Sequence, residues 1–164
     1  MKKFALRLFL ALLAIIVLIA ALTGIEYVGG QPMGLFSGSR AANLGFSAGK
    51  FAPPSWKPNS VSSTVEKNDP HFIEPLKFSG ASADAWKKLQ GIVNASARVH
   101  IVADKPGYLY AEFKSAGMGF VDDVEFALDE AANAIQVRSA SRLGIRDLGV
   151  NRARIESIRA QFAK

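Results

Sequence analysis

The chain has 164 residues, 20 basic and 14 acidic, for a formal charge of +6, which is room for one compact domain plus an extra segment. It contains no cysteine, which excludes disulfides, thiolate metal sites, a cysteine nucleophile and a lipidated N-terminal cysteine. Lys2, Lys3 and Arg7 supply three of the basic residues and the other 17 face 14 acids, so the remaining excess of about +3 is too mild to imply nucleic acid.

In chain order, the first feature is an uncharged run of 18 residues, 8–25 (LFLALLAIIVLIAALTGI). At about 1.5 Å per residue it nearly spans a hydrocarbon core of about 30 Å, and Phe4 to Leu6 extend it if Arg7 snorkels. Bases precede the run, Glu26 follows it, and the next base is Arg40. That asymmetry predicts a single-pass signal anchor over 1–27. Residues 4–25 would lie in the membrane, the N-terminus in the cytoplasm, and the rest on the periplasmic or extracellular side of a cell envelope. A cleaved signal peptide is the competing reading, but the run is longer than a usual h-region and no good small-x-small site follows closely.

Residues 28–57 are rich in Gly, Ser and Pro and predict a linker. Phe36, Phe46, Phe51 and Trp56 interrupt it. A solvated tether does not need four aromatics, so part of this stretch is expected on the domain or at a lipid interface.

The folded part is expected over 58–164. His71 to Phe78 predicts a short edge strand, because Pro75 bars a central position. Ser82 predicts the N-cap of a helix from Ala83 to about Ala95, with Trp86, Leu89 and Val93 on its apolar face. The period then changes to two. Arg98–Ala103 and Tyr108–Lys114 predict a hairpin around Asp104-Lys105-Pro106-Gly107, and Val121–Leu128 with Ala134–Ser141 predict a second. Asn151 to Phe162 predicts a final helix with Ile155, Ile158 and Phe162 buried. The order β-α-β-β-β-β-α, with short connections, predicts an α+β domain. One antiparallel sheet of about four or five strands would carry two helices on one face, with a helix-grip variant if the sheet curls.

The second hairpin allows its side chains to be paired. Centring its turn between Ala131 and Ala132 sets Phe126 opposite Val137, Leu128 opposite Ile135 and Glu125 opposite Arg138. Asp123 then lies diagonal to Arg138 and Arg142. Downstream, Arg138, Arg142, Arg146, Arg152 and Arg154 fall within 17 residues interrupted by one acid, Asp147. Asn151 predicts the N-cap of the last helix. Arg152 and Arg154 then sit in its first turn, where the helix dipole disfavours cations. Such arginines need a carboxylate or a bound anion nearby. Two uses follow: Asp122, Asp123, Glu125 and Asp147 pair the arginines internally, or Arg138, Arg142, Arg146, Asn151 and Arg154 hold an anionic ligand.

Other motifs carry less. His71 and His100 lie 29 positions apart with no metal-binding spacing, so no metal or other cofactor is expected. Ser60, Ser62 and Ser63 lack a GxSxG setting and fit a turn or capping cluster. Tyr108, Tyr110, Phe113, Phe120 and Phe126 fit core or cross-strand positions, and there is no P-loop or dinucleotide fingerprint.

Pro58 to Ser63, Tyr108 to Phe113, Asp122 to Phe126 and above all RSASRLGIRDLGVNRARIE, from Arg138 to Glu156, resemble the DUF1499 family of uncharacterised proteins. The resemblance covers about 58–164 and implies no established activity. Members of that family often carry Cys where this chain has Ser60, a departure that argues against a thiol role. Together these features predict a non-catalytic envelope protein binding an anionic small molecule, a lipid or an envelope protein, and no nucleic acid. The alternatives are a hydrolase-like enzyme using Asp122, Asp123 or His71 as acid or base, and a carrier of an apolar ligand between sheet and helix.

Overall fold

The computed structural model describes residues 6–7, 9–15, 18, 27–28, 31–32 and 36–164. Residues 6–7, 9–15 and 18 are helical (α1). The strands are β1 (Tyr27–Val28), β2 (Gln31–Pro32), β3 (Phe46–Ser47), β4 (Lys50–Phe51), β5 (Ser60–Ser62), β6 (Leu76–Lys77), β7 (Val99–Lys105), β8 (Tyr108–Lys114), β9 (Val121–Asp129) and β10 (Ala134–Ser141). Two further helices are α2 (Ser82–Asn94) and α3 (Val150–Phe162).

The fold is mostly sheet. Six strands form one antiparallel sheet in the order β5-β10-β9-β8-β7, with β6 also paired to β10. β1-β2 and β3-β4 are separate two-stranded ribbons. The second hairpin has the expected register: Phe126 faces Val137, Leu128 faces Ile135 and Glu125 faces Arg138.

Period two decides what each sheet face carries. Leu109, Ala111, Phe113, Val124, Phe126, Ile135 and Val137 lie on one face and are buried. α2 covers this face with Ala85, Trp86, Leu89 and Val93, and α3 with Ile155, Ile158 and Phe162, forming one core. Phe126 and Ile155 are fully buried there and Phe162 nearly so. Side chains therefore occupy the space between sheet and last helix that an apolar ligand would need.

The expected architecture needs correction in several respects. The sheet has six strands rather than four or five. β5 escaped the pattern because three residues, two of them serine, carry no readable alternation; the strand exists because β10 offers a pairing edge to Ser60, Val61 and Ser62. The expected 71–78 strand is reduced to Leu76–Lys77. Among the described residues no helix is long and apolar enough to cross a membrane, so the membrane-spanning helix expected at 1–27 is not found among them. Residues 1–5, 8, 16–17 and 19–26 of that stretch lie outside the described residues.

The helix caps also differ. α2 begins at Ser82 with Ala81 as N-cap and no side-chain cap bond; the Ser82 hydroxyl instead donates to Glu130 Oε1 at 2.6 Å. α3 has Gly149 as N-cap, in the left-handed region at φ 82°.

Candidate functional site

The second sheet face is polar yet buried. Tyr108, Tyr110 and Glu112 of β8, Asp123 and Glu125 of β9, and Arg138 and Arg142 at β10 and its exit share it. Glu112 and Glu125 are fully buried, and Asp123 and Arg138 nearly so. Arg138 Nη1 donates to Glu125 Oε2 at 2.7 Å. Arg142 pairs with Asp123 at 2.7 Å and also with Glu112. The Tyr110 hydroxyl donates to Asp123 Oδ1 at 2.5 Å and the Tyr108 hydroxyl to Glu125 Oε1 at 2.8 Å. Burial, reinforced by these carboxylates, pushes both phenols well above the ordinary tyrosine value. Burial alone would lower the Arg142 guanidinium, but Asp123 and Glu112 outweigh it and hold it above its usual value.

The cover comes from the stretch expected as a linker. Arg40 reaches Glu112 Oε1 with Nε at 2.8 Å and Nη2 at 2.5 Å. The Gly45 amide donates to Glu125 Oε1 at 2.6 Å. The Phe51 amide donates to Thr64 Oγ1, and the buried Phe51 ring packs on Phe46 at 4.9 Å. Phe36 lies 5.0 Å from Phe120. Residues 36–53 are thus a strap over the sheet, and the aromatics at 36, 46 and 51 mark where it rests. This strap turns an exposed face, whose cross-strand pairs are worth about 1 kcal/mol or less, into a low-dielectric interior. Losing one partner there costs roughly 3–5 kcal/mol.

On the helix face, Arg154 Nη2 donates to Asp122 Oδ2 at 2.5 Å and Nη1 to Asn151 Oδ1 and Ser139 Oγ at 2.7 and 2.9 Å. Its guanidinium lies 5.0 Å from the centre of the Phe113 ring. Asn151 is fully buried. Its Nδ2 donates to the Asn59 carbonyl, Ser141 Oγ and Asp147 Oδ2. The anion at the start of α3 is therefore a residue of the chain. Asp147 Oδ1 accepts the Gly149 amide at 3.0 Å and Oδ2 the Asn151 amide at 2.9 Å. Burial alone would raise the Asp147 carboxyl, but these amides outweigh it and hold it below the ordinary aspartate value. Arg152, also in the first turn, donates to the Pro70 and Phe72 carbonyls.

The predicted site residues are thus divided among three places. Arg138 and Arg142, with Asp123 and Glu125, lie under the strap. Asn151 and Arg154, with Asp122 and Asp147, pin α3 to β9 and β10. Arg146 is exposed on the loop between β10 and α3. Sequence reasoning missed Arg40 and Glu112, the cross-sheet members of the buried network. Glu112 was visible as the one acid alternating with Tyr108 and Tyr110. Arg40 carried no signal, because its partner is 72 positions away.

A cleft of about 200 Å³ is lined by Pro58, Ser60, Pro70, His71, Asp147 and Arg152, among others. Both His71 ring nitrogens meet oxygens, Nδ1 at Asp69 Oδ1 (2.8 Å) and Nε2 at the Lys57 carbonyl (3.0 Å). Asp122 and Asp123 lie elsewhere, each against an arginine, so the residues expected to share acid–base work are not gathered in this cleft.

The loop from 142 to 149 has a different character. Leu148 is 93% exposed and Ile145 58% exposed. Leu148 also holds φ 55°, a left-handed conformation that costs an L-residue roughly 1–2 kcal/mol.

An antiparallel sheet with two helices on one face, a strapped ionic layer on the other and an apolar loop at one end defines a small, mostly-sheet module. The chain belongs to the family described as protein of unknown function (DUF1499), whose model matches residues 50–162. No curated protein and no solved structure matches it.

Proposed function

We propose that this protein is a non-catalytic interaction module that works through the loop between β10 and α3. One observation carries the reading. Leu148 is almost wholly exposed and sits in a strained backbone conformation, so the fold gains neither burial nor relaxed geometry from it. A residue that serves the fold in neither way is best explained by what it meets outside the molecule. The internal pairing of Arg138, Arg142 and Arg154 supports the same reading, since these side chains stabilise the module and leave contact to the loop.

The test places a photo-reactive amino acid in place of Leu148, and separately in place of Lys87 on the exposed side of α2, in cells making the full chain. A recurrent adduct from position 148 with none from 87 is the expected result. Equal labelling, or none at either position, overturns the reading.

A further inference from the structure

This inference rests on the interaction-module reading and names the partner. The end of the sheet where β8 stops, β9 starts and β10 leads into α3 carries more than one exposed apolar side chain. Met118 in the β8–β9 turn is 63% exposed, Ile145 and Leu148 stand exposed on the β10–α3 loop, and Val150, also exposed, opens α3. Trp56, 77% exposed, lies two residues before Pro58, which lines a cleft together with Gly149. These side chains stand on separate loop tips. Leu148 in particular touches little of its own protein, a shape suited to entering a fluid layer rather than to meeting a rigid packed surface. Tryptophan is also favoured at lipid–water boundaries.

From Leu143 to Arg152 the exposed charged side chains are both basic. Arg98, Arg146 and Arg152 are exposed. Of the acids nearby, Asp122 is buried against Arg154, Asp147 caps α3, and the more exposed Asp69 and Glu156 are paired with His71 and Arg159. Apolar tips ringed by arginines complement an anionic headgroup layer, where the tips leave water and the guanidinium groups meet phosphates. We propose that this end of the module docks on an anionic lipid surface, with Leu148 and Ile145 entering the headgroup region.

The chain's lack of cysteine makes a local test direct. Full-length Leu148→Cys and Lys87→Cys each carry one environment-sensitive dye and are mixed with vesicles of phosphatidylcholine, with and without phosphatidylglycerol. The expected result is a blue shift and gain in emission at position 148 with anionic vesicles, little change with neutral ones, and little change at position 87. Arg146→Gln and Arg152→Gln, added singly, should each weaken the response about five-fold. No change at 148 with anionic vesicles overturns the proposal, as does an equal change at both positions or with both vesicle types. A protein adduct from position 148 in cells, with the dye silent on vesicles, overturns the lipid partner and leaves the interaction module standing. Circular dichroism of both labelled variants confirms that they are folded.

Discussion

Asp147 and Leu148 are neighbours with opposite relations to the fold. Asp147 holds two amides at the start of α3, so Asp147→Asn should cost about 1 kcal/mol at neutral pH. Its carboxyl is held below the ordinary value of 3.8, so its contribution is complete above that value. It fades as pH falls through the lower folded-state value. Urea unfolding of both proteins across acidic pH should show the gap closing below about pH 4; a gap constant with pH would mean the carboxylate is not the cap. Leu148 behaves in reverse. Leu148→Gly should raise stability by about 1 kcal/mol by relieving its positive φ. A clear loss in the same unfolding experiment would show that the leucine side chain serves the fold after all.

At the scale of elements, the hairpin of β9 and β10 is held by packing on one face and by charge on the other. Glu125 and Arg138 face each other in register, and both are buried. Glu125→Gln leaves the guanidinium without its charge partner and should cost roughly 3–5 kcal/mol. Removing the guanidinium as well, Glu125→Gln with Arg138→Met, should cost less, because the glutamine still accepts the Tyr108 hydroxyl and the Gly45 amide and no buried charge is left unpaired. Denaturant midpoints of the two variants check this, and a double variant as damaged as the single one would count against the strut role. The strap adds a second element-scale expectation. It holds the sheet through Arg40, the Gly45 and Phe51 amides and a buried Phe51, far fewer ties than a strand has. Amides of 43–51 should therefore exchange well before those of β9 and β10 in native-state hydrogen exchange. Equal protection would make strap and sheet one cooperative unit.

For the whole molecule, the strap decides where the domain begins. A chain starting at residue 58 loses the cover over Glu112 and Glu125 and the burial of Phe51. It should be less stable than one starting at residue 36 by roughly 3 kcal/mol or more. Comparable melting temperatures for the two fragments would return 36–57 to the status of a tether. The family match from residue 50 agrees with a boundary upstream of 58, since it takes in β4 and Phe51.

Patterns that act over a few residues were legible in the sequence. The period-two runs placed β7 to β10, the hairpin turn set the register of Phe126, Glu125 and Arg138, and the spacing of Trp86, Leu89 and Val93 gave the buried stripe of α2. Of the two first-turn arginines, Arg154 met a carboxylate, whereas Arg152 met the backbone carbonyls of Pro70 and Phe72. Which carboxylates the paired arginines would meet was decided only in three dimensions. Arg154 meets Asp122, Arg142 meets Asp123 and Glu112, and a loop acid rather than Asn151 caps α3. The same holds for β5, which β10 creates by pairing, and for Arg40, which reaches Glu112 across 72 positions. Local periodicity follows from backbone geometry and is written along the chain, whereas partners far apart in sequence are chosen when the sheet closes and the strap settles on it. Burial of the ionic face belongs to that second kind, because no property of Glu112 or Glu125 alone foretells what will cover it.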